Sequence, residues 1–157
     1  MVQSKIDPRF PSINKEVILT QTDTTVGFLS QNSEKLSYIK SRDKTKKFIT
    51  TFSNLKNFNN SSFRVPRKQK IFFRRAKKTT FIIKNTALRI SPTLLKSQVL
   101  RNLQWTYSTS ANESTKRFSR SFCEGKADII IENKDGLHEN SSSSLIKINN
   151  FKRVKLR

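Results

Sequence analysis

The 157-residue sequence reads as a single α/β domain, and three observations carry that reading. Short β-branched runs alternate with amphipathic segments along the whole length, which is the pattern of a sheet layered with helices rather than of a helical bundle. The length suffices to bury a core without staples. One cysteine, Cys123, and one histidine, His138, leave neither an intramolecular disulfide nor a His/Cys zinc site to organise the chain. The expected division is a loosely ordered leader over residues 1–15 and one folded domain over residues 16–157.

The elements follow in order. Two prolines and no apolar stretch in "MVQSKIDPRFPSINK" make the leader unlike a signal peptide. "EVILT" at Glu16 to Thr20 is a β-branched run between polar residues and reads as a buried strand, followed by the loop "QTDTTVG". From Ser33 to Lys40, a Ser cap, an early Glu34, and Leu36 and Ile39 three apart predict a short amphipathic helix. "FITTF" at 48–52 is strand-like, and "PRKQKIFFRRAKK" at 66–78 predicts a basic helix with Pro66 at its start. "TTFIIKN" and "ALRIS" read as adjacent strands.

From Ser91 to Leu103 a Ser cap, Pro92, and a stripe of Leu95, Val99, Leu100 and Leu103 predict the clearest helix of the chain. It leads to "WTY" and then to "YSTSANES", expected to form a strand end, a tight turn and a helix N-terminus. A further basic helix is expected in "STKRFSRSFCEGK", a strand in "ADIIIEN", and a final strand in "LIKI" before the basic end "FKRVKLR". Phe48, Phe81 and Phe122 fall in apolar patterns and are expected in the core.

Charge and composition bound the function. Lys plus Arg number 32 against 11 Asp plus Glu, a formal charge of +21 that suits a polyanion such as tRNA or rRNA, or nucleotide phosphates; a coding bias that scatters lysines over a solvated face accounts for it equally well. His138 lies in the polar run "KDGLHENSSSS", where nothing apolar frames it, so a Ser-His-Asp or Cys-His hydrolase is not expected. No run approaches the ~18 apolar residues that cross a bilayer. With the single thiol, this favours a cytoplasmic protein without a membrane partner.

The three glycines, Gly27, Gly125 and Gly136, are too far apart for a Walker A loop or a dinucleotide fingerprint. Any nucleotide must be held by other means, and the short hydroxyl side chains of "STSAN" beside exposed backbone N–H groups are suited to phosphate oxygens.

Several stretches, taken in order, sharpen this. The chain shows "LTQTDTTVGF", "IKSRDKTKK", "TTFIIKNTALRI", "YSTSANES", "ADIIIEN", "SSSSLIKI" and a terminal "VKLR". The series resembles the YrdC-like family of L-threonylcarbamoyl-adenylate synthases over Glu16 to Arg157. The resemblance implies a twisted mixed sheet with flanking helices around a basic cavity. The implied reaction converts L-threonine, bicarbonate and ATP into threonylcarbamoyl-AMP and pyrophosphate, with Mg²⁺ carried by the nucleotide and no protein metal site. Separate threonylcarbamoyl-transferase proteins would then modify position 37 of tRNA.

Residue by residue, the resemblance places Thr22, Asp23, Thr24 and Gly27 in the first motif, with Thr22 on threonine. Lys40 and Arg42 match a Lys-x-Arg pair and are the expected catalytic and ATP-binding cations. Thr80 matches the Thr-x-Ile-Leu strand, and Arg89 and Ser143 are implied at threonine. Ser108 is expected near threonine, Ser110 on a nucleotide phosphate oxygen, Asn112 at ATP with its amide fixing the loop, and Arg157 on ATP. Chemistry agrees on the cations: negative charge that grows as pyrophosphate leaves needs Lys or Arg clamps, and an arginine fork suits a carboxylate. Lys46, Lys47 and the "RRAKK" cluster read as solvated charge.

The chain also departs from the family pattern. Gln21 replaces a proline, Val26 a tyrosine, Ser41 a glycine, Ala76-Lys77 a Pro-Gly, and Thr115 a glycine, so loops that want positive φ are expected to turn differently. A binding protein of the same fold, catalytically reduced and serving RNA recognition or ribosome maturation through its basic surface, is the alternative expectation.

Overall fold

The computed structural model describes residues 12–43 and 45–157. The proposed leader therefore lies mostly outside the described residues, apart from a single 3₁₀ turn at Ile13–Lys15. The described residues contain nine strands in one mixed sheet: β1 (Ile18–Gln21), β2 (Val26–Ser30), β3 (Ile49–Phe52), β4 (Thr79–Ile83), β5 (Thr86–Ile90), β6 (Trp105–Ser110), β7 (Ile129–Ile131), β8 (Ser144–Ile148) and β9 (Arg153–Lys155). Their spatial order is β7-β1-β2-β6-β3-β5-β4-β8-β9. Parallel pairs β1–β7, β3–β5 and β4–β8 sit among antiparallel hairpins. Four short helices accompany the sheet: α1 (Ser33–Ile39), α2 (Leu55–Asn59), α3 (Lys70–Arg75) and α4 (Arg120–Glu124).

Strand periodicity sorts the side chains into two unlike faces. On one face Leu19, Val26 and Phe28 pack with Leu36 and Ile39 of α1 and with Cys123 of α4. Further along the same face, Phe52, Phe81, Leu88 and Ile148 pack with Phe58 of α2 and Phe73 of α3. Edge and tilted ring contacts run through this cluster, as between Phe72 and Phe81 at 5.7 Å and between Phe58 and Phe73 at 4.9 Å. The other face carries Gly27, Ile49, Thr51, Thr80, Arg89, Thr106, Ser108 and Ser110. A small apolar cluster covers its β1–β2 end, where Ile18 and Leu29 meet Leu94, Leu100 and Leu103.

Several expectations need correction. Ser91–Leu103 is not an α-helix. It forms 3₁₀ turns at Pro92–Leu95 and Leu100–Asn102, with Leu94 buried and Leu95 exposed. The hydroxyls of Ser91 and Thr93 are tied to Asp23, and Ser97 accepts from Val99 N–H, so local side-chain bonds displace the helical ladder. The predicted basic helix at 114–126 is confined to α4, and no helix follows "SAN". There Asn112 Nδ2 donates to Lys116 O and spends the segment on turns. Asn32, not Ser33, caps α1, accepting from Lys35 N–H at 3.1 Å. Strand β2 and helix α2 were not anticipated, because the short run "VGFLS" follows what reads as a loop. Strand β9 follows "LIKI", so that run is not the last strand.

The glycine-poor loops also differ from expectation. Ser41 and Thr115, which stand where the family pattern has glycine, adopt φ of 47° and 67°. The backbone keeps the left-handed turn and the side chain accepts the crowding, at a cost of order 1–2 kcal/mol for a non-glycine residue.

Candidate active site

The polar sheet face is built from the β1–β2 turn outward. Thr22 Oγ1 donates to Thr25 O at 2.6 Å and accepts from Thr24 N–H at 3.2 Å, closing a tight Thr-Asp-Thr-Thr turn. This holds Asp23 over the 91–103 segment. There its Oδ1 accepts from Ser91 Oγ at 2.5 Å and from Thr93 Oγ1 at 3.3 Å, while its N–H donates to Thr93 Oγ1. Gly27 follows in β2, where a Cβ would stand 3.0 Å from Thr109 O and 3.1 Å from Thr22 Cγ2. Only glycine lets the turn and β6 approach that closely.

Arg89 rises from β5 beside Thr51 of β3. Its Nη2 lies 2.7 Å from Asp23 Oδ1, and Nη1 donates to Thr24 Oγ1 at 3.1 Å. The ion pair is off hydrogen-bond geometry, and Nε has no partner among the described residues, so the buried fork keeps N–H groups unspent. Thr51 Oγ1 and Thr106 Oγ1, on the same face, are also buried without a partner. Such groups are costly unless something pairs with them. Burial works to raise the Asp23 carboxyl, but the Ser91 hydroxyl and the Arg89 charge outweigh it and hold Asp23 below its ordinary value.

Arg89 and Thr24 line a cavity of about 240 Å³. Of the sequence-predicted residues, Thr22, Arg42, Arg89, Ser108, Ser110, Ser143 and Arg157 all face it, together with Thr24 and Gly27. Ser143 is fixed by a 2.8 Å bond between its hydroxyl and that of Thr80, and its carbonyl accepts from Arg157 Nε and Nη2. Arg42 lies 5.0 Å above the Phe48 ring and donates to Lys47 O. No carboxylate is among the lining residues, whereas four cations and eight hydroxyl-bearing residues are. That donor set suits an anion. Among the described residues, no three His, Cys, Asp or Glu converge to hold a metal.

Lys40 and Asn112 are placed differently. Lys40 is buried behind the Ser110–Asn112 loop, with Nζ donating to Ser110 O, Asn112 O and Asn112 Oδ1. Burial pushes its ammonium below the usual lysine range, the nearby Cys123 opposes that shift, and Arg42 adds to it. Asn112 Oδ1 also accepts from Ser110 Oγ at 2.8 Å. Lys40 therefore fixes the loop instead of reaching the cavity. The phosphate-binding helix terminus expected here is absent, and the loop N–H groups are occupied: Ala111 donates to Val26 O and Asn112 to Ser110 O. Side-chain hydroxyls, not free amides, face the cavity.

Sequence reading missed Lys47, Thr25 and Ser142. For Lys47 the sequence shows only that residues 47, 49 and 51 share a face when a strand begins at 49; the fold decides that this face is the open one. Exposed His138 and buried Phe48 and Phe81 lie as expected, with Phe122 half-buried.

By sequence, no protein-family model and no curated protein matches the chain. Solved structures do match in shape. Sua5 of P. abyssi complexed with L-threonine superposes with a TM-score of 0.68 at 16% identity, covering 90% of this chain and 50% of that one. E. coli YciO gives 0.67 at 17% identity, covering 91% of this chain and 82% of that one. The MTH1692 protein of Methanobacterium thermoautotrophicum gives 0.61 at 17% identity, covering 100% of this chain and 92% of that one. The chain has the YrdC-like fold. It spans about half the length of the Sua5 chain. In this YrdC-like fold the cavity occupies the polar face of the sheet, with helices on the other. Among the described residues no helix is long and apolar enough to cross a membrane.

Proposed function

We propose that the chain is an L-threonylcarbamoyl-adenylate synthase, making threonylcarbamoyl-AMP and pyrophosphate from L-threonine, bicarbonate and ATP for tRNA modification. The supporting observation is convergence. Seven residues selected from separate motifs, from Thr22 to Arg157, line one carboxylate-free cavity. A Sua5 structure with L-threonine shares the fold, which makes threonine the natural first ligand to test.

The unspent N–H groups of Arg89 receive the threonine carboxylate, and the hydroxyls of Thr22 and Ser108 bond its polar groups. Arg42, Lys47 and Arg157 stand around the remainder of the cavity with Ser110 and Ser143. There they stabilise the charge that grows on pyrophosphate as its bond to the α-phosphorus breaks, the step where preorganised cations contribute most. Mg²⁺ arriving with ATP supplies further charge neutralisation. Lys40 and Asn112 hold the Ser110 loop still, which is a positioning role.

A second reading, a catalytically reduced RNA-binding protein of this fold, is favoured by one observation: Arg89 is already engaged by Asp23 and Thr24. Mass spectrometry of reaction mixtures separates the two. The synthase yields threonylcarbamoyl-AMP only when L-threonine and bicarbonate are both present with ATP. Absence of that product across varied Mg²⁺ and pH leaves the binding protein.

A further inference from the structure

Charge in this chain is segregated, not merely abundant. Between Asp43 and Glu113 there is no acidic residue at all, while sixteen lysines and arginines fall in the same stretch. A compositional bias toward lysine would raise cations everywhere but would not empty one continuous region of acids. Four of the carboxylates are gathered at the β7–β1 end of the sheet instead. There Lys35 pairs with Glu16 and Asp128, and Arg120 with Glu124 and Glu132.

Within the acid-free stretch, α2, the following loop and α3 enclose an open pocket of about 500 Å³. Its floor is aromatic, with Phe58 and Phe73 buried and Phe63 half-exposed on the wall. Arg67, Lys70 and Arg74 border it at spacings of three and four, which puts them on one side of the helical segment. All three are exposed and form no ion pair among the described residues. Phe63 also bounds a neighbouring groove lined by Phe48 and Tyr107 with Lys46 and Lys47, where Glu34 is the one carboxylate, and Lys47 in turn lines the candidate active site.

We propose that the α2–α3 pocket binds single-stranded RNA, with a base against Phe63 and successive phosphates on Arg67, Lys70 and Arg74. Aromatic wall and helix-borne cations side by side are what a single strand offers partners for, since every base has a π-face and every linkage a charge. A duplex hides the bases, and an acidic peptide has no flat apolar group for the ring. The proposal does not rest on the synthase reading, because this pocket shares none of the cavity-lining side chains.

The test measures binding of the full-length chain to a labelled single-stranded RNA of about 12 nucleotides across a salt series. The variant Arg67→Gln/Lys70→Gln/Arg74→Gln is compared with Lys116→Gln/Lys126→Gln/Lys134→Gln, which removes the same charge elsewhere. The first should lower the slope of log K against log salt by about 2, as three lost phosphate contacts on a single strand require. The second should leave the slope unchanged. Phe63→Ala should weaken binding about tenfold at an unaltered slope. Adenylate synthesis, if present, should persist in all three, and thermal melts confirm folding. Equal behaviour of the two triple variants, or an unchanged affinity in Phe63→Ala, overturns the proposal. So does preference for duplex RNA, an acidic peptide or anionic lipid vesicles over the single strand.

Discussion

The two faces of the sheet use the same strands for opposite purposes. On the helix-covered face, Phe28, Phe52, Phe81 and Leu88 are packed against helices α1–α4 and neighbouring rings, and no buried side-chain polar atom there lacks a partner among the described residues. On the polar face, Thr51, Arg89, Thr106, Ser108 and Ser110 occupy the alternate positions, and buried N–H and O–H groups are left without partners. Burying apolar area stabilises the chain, whereas orphaned polar atoms destabilise it. The difference teaches that the polar face is maintained against stability, which is how a ligand-binding surface is recognised.

Four substitutions sharpen or break that contrast, in descending order of effect. Phe81→Ala removes a ring packed against Phe72 and Phe73. It should cost about 4 kcal/mol in chemical denaturation, while leaving activity per folded molecule unchanged. A comparable loss of activity at full folding would mean the faces are not independent.

Asp23→Asn leaves the buried Arg89 charge without its carboxylate. The expected cost is about 3 kcal/mol. The sign with pH follows from the depressed Asp23 value: its stabilisation is fully present above 3.8, the ordinary value, and is lost as pH falls through the lower folded value. The variant should therefore show a flatter loss of stability on acidification than the natural chain. Identical acid limbs in urea titrations at several pH values would remove Asp23 as the link between the turn and β5.

Arg42→Ala takes a cation from the cavity without disturbing the core. Adenylate formation should fall about a hundredfold, near 2.7 kcal/mol in the barrier, with little movement of the melting temperature. Loss of thermal stability alone would mark Arg42 as a partner of the Phe48 ring and nothing more.

The smallest effect has the opposite sign. Thr115→Gly relieves a β-branched residue at φ 67° and should stabilise by about 1 kcal/mol. An unchanged midpoint in denaturant would show that the loop tolerates the strain by relaxing locally.

Local sequence determined most of the elements and seven of the cavity residues. β-branched runs and Ser- or Pro-started segments located β1, β3, β4, β5, β6, β7 and β8 and the helices α1 and α3, because the period of side-chain burial is a local property. The motifs that resemble the YrdC-like family singled out seven of the residues that line the cavity, from Thr22 to Arg157, but not Lys47, Thr25 or Ser142.

Tertiary structure alone decided three things. The 91–103 segment has a helical pattern, yet Asp23, 68 residues from Ser91, captures its hydroxyls and leaves only 3₁₀ turns. Lys40 looks like a phosphate clamp from its position after a helix, yet the loop carbonyls of Ser110 and Asn112 draw its ammonium behind the cavity wall. Lys47 looks like solvated charge, yet the strand parity of β3 turns it toward the cavity. In each case the deciding partner lies on another part of the chain or depends on which sheet face is open. A propensity computed along the sequence contains neither, because hydrogen bonds and burial act through space.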